Sequence, residues 1–237
     1  MSGPERGWLL ALDLSTSRGV VALDGPEGTL GREISGHERT ARLFMEMEIL
    51  MGDAGIGLDD ISLLGVGRGP GSFTGVRVAA AAAKALAFAT GKPLVAPDSL
   101  AVRAAGAEVS SGAVFVALDA RRGEVYYGIY RIEGGRPMEY LGPRSASPER
   151  AAADLDAYLE REGGGLVLAG TGITAYPDAW PPGVEVMESE PPRAEGLAMS
   201  CRGEMAHGRV IDPFELAPLY VRRPDLGPAK EGGRCAC

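Results

Sequence analysis

The chain has 237 residues, enough for one large domain or two small lobes with a real hydrophobic core. It carries a formal net charge of −8, with 24 Lys and Arg against 32 Asp and Glu, and it contains neither Asn nor Gln. Clustered basic side chains supply most non-specific affinity for nucleic acid, and Asn or Gln usually reads adenine, so this composition argues against a protein that grips or reads nucleic acid alone.

The first half of the chain alternates short apolar strands with helices. In chain order, we predict strands at 8–13, 20–23 and 31–35, a helix at 37–51, a strand around Leu63, a helix at 74–90, a strand at 94–95 and a helix from 98 to 106. The first two strands form a hairpin, because a polar turn that includes Gly19 separates them.

The loop before the second helix is the most specific local pattern. It covers Gly69–Arg77 and reads GPGSFTGVR. Glycine permits positive φ angles, Pro70 fixes one φ, and Ser72 or Thr74 can cap the helix that follows. The helix N-terminus is suited to an anion, but a tight turn without a ligand explains the same residues. Gly-Lys-Ser/Thr is missing, so this is not a phosphate-binding P-loop.

The first helix has apolar side chains on two opposite sides. At about 100° per residue, one arc faces the predicted core and contains Leu43, Phe44, Met47, Leu50 and Met51. Ala41, Met45 and Ile49 form a second stripe on the other side. A helix lying on one core needs a single arc, and methionine suits an adaptable contact surface. The pattern predicts a partner-binding surface, unless the helix is buried on both sides within its own lobe.

The second half predicts a smaller lobe. Its elements are strands at 113–118 and 124–132, an amphipathic helix at 148–162, a strand at 166–169, a proline-rich passage at 177–192 and a last helix at 194–207. Small polar residues at 106–112 mark a boundary. We therefore predict an N-terminal lobe at 1–108, a second lobe at 109–193, a C-terminal segment at 194–222 that packs back on the first lobe, and a flexible tail at 223–237.

An aspartate follows the first strand of each lobe, at Asp13 and Asp119. A strand, an aspartate, a small-residue turn and a second strand resemble the phosphate loops of the actin, Hsp70 and sugar-kinase superfamily. In its active members the two aspartates hold a metal or activate water. The second loop here, Ala120–Glu124, reads ARRGE and is unlike a small phosphate-binding loop. Capping of the two turns explains both aspartates better.

Metal and peptidase chemistry have little support in the sequence. The two histidines, His37 and His207, are far apart, and neither has a partner four residues away, so we expect no metal site. Ser15 and Ser72 lack a histidine nearby in sequence. Of the three cysteines, Cys201, Cys235 and Cys237, the last two lie in a Gly- and Pro-rich tail without histidine, so zinc is not expected.

The longest apolar run, Val78–Ala83, is far too short to span a membrane, and no signal-peptide pattern opens the chain. We expect a cytoplasmic protein without a membrane partner.

Six motifs together resemble one family. They are Leu10–Ser17, Gly69–Arg77, Gly91–Leu94, Asp98–Leu100, Ala117–Tyr126 and Pro218–Arg222. In this order they are similar to the TsaB (YeaZ) family, bacterial subunits needed to make threonylcarbamoyladenosine in tRNA. The resemblance spans roughly residues 8 to 222.

The resemblance implies an α/β, two-lobed actin-like (ASKHA) fold with a reduced second lobe. It implies a non-catalytic subunit without a cofactor that binds and activates the catalytic TsaD subunit, with TsaE as a third protein and tRNA met only within the complex. A nucleotide at a lobe or subunit junction stays open, and so does a homodimer of the isolated chain. The family's interface lies on the first two helices, which here places it at Ala41, Phe44, Met45, Ile49, Ala79, Ala80 and Ala83.

The basic residues Arg68, Arg77, Arg121 and Arg122, together with Ser72 and Thr74, are the candidates for an anion site or a tRNA path. The competing function is an autonomous enzyme, either an ATP-dependent phosphotransferase or a peptidase of the same superfamily.

Overall fold

The computed structural model describes residues 7–36, 39–107, 109, 111–134, 136–163, 165–187 and 192–222. The predicted flexible tail at 223–237, with Cys235 and Cys237, lies outside the described residues, and so does His37.

The first lobe is built on a five-stranded sheet in the order β3-β2-β1-β4-β5. Its strands are β1 (Trp8–Asp13), β2 (Gly19–Gly25), β3 (Gly28–Ile34), β4 (Ile61–Val66) and β5 (Leu94–Val95). The first three pair antiparallel as a meander, while β4 runs parallel to β1 and β5 runs parallel to β4. Parallel pairing requires a crossover between the strands, which the helices of this lobe supply.

Both faces of this sheet are covered, because apolar side chains alternate along β1. Leu10 and Leu12 pack under α1 (Arg39–Asp53) and α2 (Phe73–Thr90). Leu9 and Ala11 pack on the other side against α6 (Ala194–Ala206), so the last helix lies on the first sheet. Since α1 and α2 lie on one face, their outward sides belong to the same side of the molecule.

The second sheet repeats the plan of the first, in the order β10-β9-β6-β7-β8. Its strands are β6 (Gly112–Arg121), β7 (Glu124–Glu133), β8 (Arg136–Ala146), β9 (Leu166–Ala169) and β10 (Glu185–Met187). Three antiparallel strands are again followed by two parallel ones. Repetition of one strand order in two lobes confirms the two-lobed α/β prediction.

Helices complete the layers around the second sheet. The helix α4 (Pro148–Glu162) packs on its outer face, and the short α5 (Thr171–Ala175) follows β9. On the inner face, Leu100 and Ala104 of α3 (Ser99–Ala105) join the core. Because α3 also contacts α6, these two helices form the layer between the sheets. The boundary predicted at residue 108 lies outside the described residues and stays a prediction.

Three elements were not predicted from the sequence. The strand β8 contains Pro137, Gly142 and Pro143, which argue against a strand; it lies at the sheet edge, where a missing amide donor is tolerated. The strand β10 has three residues within the proline-rich passage, and α5 begins directly after Gly170, where we predicted only the end of a strand.

One helix of the described residues, α2, is long and apolar enough to cross a membrane by length and composition alone. Its alanine-rich side packs on the chain's own sheet.

Candidate functional site

A cleft of about 830 Å³ opens between the two lobes. The β1–β2 turn lines it with Ser15, Thr16 and Ser17, and the β6–β7 turn lines it with Asp119 and Arg121. The N-terminus of α2 forms a further part of the wall. The two turns that the sequence pairs by their aspartates therefore do meet across one cavity.

Both aspartates cap their own turns, as the sequence predicts. Asp13 Oδ1 accepts a hydrogen bond from the Ser15 amide at 2.7 Å, and Asp119 Oδ1 accepts one from the Arg121 amide at 2.8 Å. Asp13 is fully buried, and its Oδ2 faces Gly67, where an added Cβ would approach it to 2.0 Å. The Asp13 carboxylate is thus enclosed beneath the cleft and does not line it.

The glycine-rich loop is fixed against the β1–β2 turn. The Ser72 amide donates to the Ser15 carbonyl at 2.6 Å, and a Cβ at Gly71 would lie 2.2 Å from the same oxygen. The Ser72 hydroxyl caps α2 by accepting from the Gly75 amide at 3.3 Å. This close approach requires glycine and directs the N-terminus of α2 at the cleft.

The predicted anion or tRNA path is only partly assembled. Ser72, Thr74 and Arg121 line the cleft. Arg122 is exposed on the same turn, with a left-handed φ of 58°. Arg77 is engaged elsewhere, since its guanidinium lies 3.6 Å from the centre of the Phe73 ring and its Nε donates to the Tyr220 hydroxyl at 2.6 Å.

Arg68 is separated from the other candidates. It lines a second cavity of about 340 Å³ between the lobes, together with Asp98 and Ser200, and this cavity shares no described lining residue with the cleft. The predicted candidates therefore do not line one cavity, because the fold places Arg68 and Arg121 in different ones.

The Pro218–Arg222 motif after α6 joins the two lobes, a role that the sequence did not predict. Leu219 donates its amide to the Arg68 carbonyl at 2.7 Å, and Arg222 pairs with Glu124 on β7 at 2.9 Å. Arg222 also lines the cleft. The motif thus contacts the start of the glycine-rich loop in the first lobe and β7 in the second lobe. Arg222, which ends the motif, is the residue from which this contact could have been predicted.

The second predicted stripe of α1 does point outward. Ala41 and Met45 are exposed, Met45 by 47%, while Ile49 is half-buried. Leu43, Met47 and Leu50 are buried against the sheet as predicted. Assignment of Phe44 to the core-facing arc was wrong, because its ring is 52% exposed beside Met45.

Two ion pairs of the buried Glu46 fix the rotation of α1, and the sequence did not predict them. Glu46 is 1% exposed on the inner side of the helix. It accepts hydrogen bonds from Arg32 Nε on β3 at 2.5 Å and from Arg42 one turn earlier. The bond from Arg32 holds the pKa of the Glu46 carboxyl below its ordinary value. This anchoring leaves Phe44 and Met45 on the outer side.

The predicted contact residues of α2 need correction. Ala79, Ala80 and Ala83 are buried against the chain's own sheet, so they contribute no accessible surface. Their small size serves close packing of α2 on β1 and β4. The outer side of α2 instead exposes Phe88 by 74%, while Phe73, 51% exposed, lines the cleft.

Phe214 extends the exposed aromatic surface beyond α2. It is 77% exposed and packs edge-on against Phe88, with ring centroids 5.9 Å apart. We call the surface formed by three residues of α1, one of α2 and Phe214 the outer helical face; its members are Ala41, Phe44, Met45, Phe88 and Phe214.

Groups for metal or peptidase chemistry do not converge in the described part of the chain. No cluster of three His, Cys, Asp or Glu side chains suited to a metal forms among the described residues. The described lining of the cleft includes Ser15 and Ser72 but no histidine. Cys201 is fully buried, and burial raises the pKa of its thiol well above the ordinary value.

Comparison with known proteins identifies similar sequences. A family model described as TsaD: tRNA N6-adenosine threonylcarbamoyltransferase matches residues 33–164. The chain is 32% identical over 227 residues to the tRNA threonylcarbamoyladenosine biosynthesis protein TsaB of Escherichia coli (strain K12), covering 90% of this chain and 94% of that protein. The protein of the same name from Haemophilus influenzae is 31% identical over 219 residues, covering 90% and 93%.

Solved structures from Pseudomonas aeruginosa share the fold. One is an uncharacterized protein with similarity to peptidase YeaZ, with a TM-score of 0.82 and 33% identity over 91% of this chain and all of that one (100%). Another, YeaZ, has a TM-score of 0.81 and 32% identity over 90% of this chain and 99% of that one. These likenesses and the repeated sheet confirm the predicted actin-like fold with a reduced second lobe.

Proposed function

Because the chain belongs to the TsaB (YeaZ) family, we propose that it is a non-catalytic subunit that binds and activates TsaD in the synthesis of threonylcarbamoyladenosine on tRNA. In this role it works in the cytoplasm, with TsaE as a third protein. tRNA contacts it only within the complex, since the net charge of −8 gives the chain little affinity of its own.

The observation that carries the proposal is the outer helical face. Phe44, Met45, Phe88 and Phe214 are between 47% and 77% exposed on one side of the first lobe. Scattered exposed apolar residues are ordinary, but several large ones on one pair of helices are typical of a docking surface. Transfer of one such side chain from water into an interface gains about 1.5 to 3 kcal/mol.

The composition of this face also suits a protein partner. Aromatic residues and methionine are enriched at interface centres, and charged residues surround them. Here Arg42, Glu48 and Arg77 are exposed on the same two helices as Phe44 and Met45. Exposed apolar and charged residues on the same helices support docking against another folded subunit.

The non-catalytic part of the proposal rests on the poor fit of the cleft to phosphate chemistry. The Asp13 carboxylate is enclosed beneath Gly67 and caps its own turn. The opposite turn presents Arg121 and Arg122 with left-handed φ angles of 62° and 58°, where a phosphate loop would present small residues. These residues support a scaffold better than an ATP-hydrolysing site.

The test is co-purification with TsaD from the same genome. Met45→Glu and Phe88→Glu place a charge in the apolar face, so each is expected to reduce recovery of the complex about tenfold or more. Ile49 is less suitable, because it is half-buried and a charge there also disturbs the fold.

Met205→Glu is the matched control. Met205 is 43% exposed, similar to Met45, but it lies on α6 against the opposite face of the first sheet. This variant is expected to bind TsaD normally. Normal recovery of both Met45→Glu and Phe88→Glu would remove the assigned interface.

An autonomous phosphotransferase is the second candidate, favoured by the size of the 830 Å³ cleft, which suits a nucleotide. Calorimetry with ATP and Mg²⁺ on the purified chain separates the two functions. Micromolar binding with turnover by this chain alone, lost in Asp13→Asn, would support the enzyme and contradict the non-catalytic subunit.

A further inference from the structure

The second cavity, of about 340 Å³, lies apart from the cleft and from the outer helical face. The loop after β5, the start of β8 and α6 enclose it. Cavities that bind small molecules have a few polar groups at fixed positions within a mostly apolar wall. This cavity has polar groups of both charges.

Two buried polar atoms of its lining residues have no hydrogen-bond partner within the described residues. Ser200 on α6 is 6% exposed, and its Oγ is buried and unpaired. Arg68 is half-buried, and its Nε is likewise buried without a partner. An unsatisfied buried donor costs about 1 to 3 kcal/mol, so a cavity that retains two of them is suited to a ligand that accepts both. A carboxylate has the acceptors that a guanidinium and a hydroxyl need.

The same cavity also has an acidic side. Asp98 Oδ1 accepts hydrogen bonds from the Tyr130 hydroxyl at 2.8 Å and from two amides of α3. Glu139 on β8 lines the cavity near Asp98, and it has no ion pair among the described residues. Burial, with a smaller contribution from Glu139, raises the pKa of Asp98 to about 6. A cationic group beside these two carboxyls would offset the cost of burying the Asp98 charge. It would also reduce the repulsion between Asp98 and Glu139.

With the remaining charged side chains included, the cavity has as many guanidinium groups as carboxyl groups. Arg209 and Glu204 neutralise each other at 3.0 Å. Arg136 also lines the cavity, so its guanidinium and that of Arg68 equal in number the two carboxyls of Asp98 and Glu139. A simple anion would meet the two carboxyls, and a simple cation would meet the two guanidinium groups. A ligand with one charge of each sign satisfies both sides.

We propose that this cavity binds a small zwitterion of the size of a free α-amino acid. Arg68 and the Ser200 hydroxyl hold its carboxylate, and Glu139 with Asp98 holds its ammonium group. The volume of 340 Å³ is at the lower end for small-molecule sites, which suits a small ligand. The site is independent of TsaD docking, because none of its residues belongs to the outer helical face.

Calorimetry on the full chain tests the proposal, with L-alanine and L-serine as probes. Acetate and ethylammonium serve as half-ligands that carry one charge each. The amino acids are expected to bind saturably, and each half-ligand about tenfold or more weakly, because it loses one set of charge-assisted bonds.

Arg68→Met and Ser200→Ala are expected to weaken amino-acid binding about tenfold and severalfold respectively. Arg150→Met is the matched control, since Arg150 is exposed on α4 and far from the cavity in the fold. Thermal unfolding checks each variant, and Ser200→Ala carries the test if Arg68→Met does not fold.

Three results would overturn the proposal. They are the absence of saturable binding at about 10 mM probe, equal affinity of wild type and the two cavity variants, and binding of acetate as tight as that of L-alanine. The last result would reveal a simple anion site.

Discussion

At the scale of single residues, Asp98 has the most unusual environment. Its carboxyl caps α3 in the first lobe and accepts the Tyr130 hydroxyl from the second. Burial raises its pKa from the ordinary 3.8 to about 6. The folded chain therefore binds this proton more tightly than the unfolded chain does, so stability falls as the pH rises from about 4 to 6.

Replacement of this carboxyl by a neutral amide tests whether stability falls as the pH rises. Asp98→Asn keeps an acceptor oxygen but removes the charge, so its stability relative to wild type is expected to increase by about 1 to 3 kcal/mol between pH 4 and pH 7. Urea unfolding at several pH values measures the difference. Asp59→Asn, at an exposed position, is the control. A difference between Asp98→Asn and wild type that does not change with pH would contradict the assigned environment.

At the scale of elements, the glycine-rich loop and Gly67 before it are held by close backbone approach. A Cβ at Gly67 would lie 2.0 Å from Asp13 Oδ2, which is buried and cannot move into solvent. The loop then contacts Ser15 through Gly71, so a shift at either glycine displaces the first turn of α2. Local sequence alone predicts a turn here, but only the contact explains why its glycines are needed.

Gly67→Ala is expected to destabilise the chain by about 1 to 3 kcal/mol, through overpacking against Asp13. Gly52→Ala is the matched control, because its added methyl group has open space near the end of α1. This variant is expected to raise the free energy of unfolding by up to about 1 kcal/mol. Denaturant unfolding compares them. Equal stability of Gly67→Ala and wild type would mean that the Asp13 contact relaxes without cost.

At the scale of the whole molecule, the outer helical face predicts self-association of the isolated chain. The surface that docks TsaD under our proposal has no other cover within the described residues. Two copies joined through α1 and α2 would bury it in the absence of the partner, since C₂ pairing uses one patch twice.

Sedimentation velocity on the isolated chain is expected to show a concentration-dependent dimer. Phe44→Glu is expected to shift it towards monomer, because the substitution places two like charges near each other across a symmetric interface. Addition of TsaD is expected to dissociate the dimer if both associations use the same face. A dimer unaffected by Phe44→Glu would place self-association elsewhere.

Much of the architecture could be predicted because it is encoded in local patterns. The bounds of β1, α4 and β9 follow from apolar runs and from Pro148 at a helix start. The strand β8 could not be predicted, since its prolines are tolerated only through its place at the sheet edge. The candidate interface was also predicted only in part. The exposure of Met45 was predicted from the sequence, whereas that of Phe88 was not.

The sequence by itself determined the family, the alternation of strands and helices, and the capping of two turns by Asp13 and Asp119, because motifs and backbone capping act over a few residues. Tertiary structure decided which sides of α1 and α2 reach solvent and which arginines share a cavity. Burial depends on the elements that pack across a helix, and periodicity cannot tell which side of an alanine-rich helix meets its sheet.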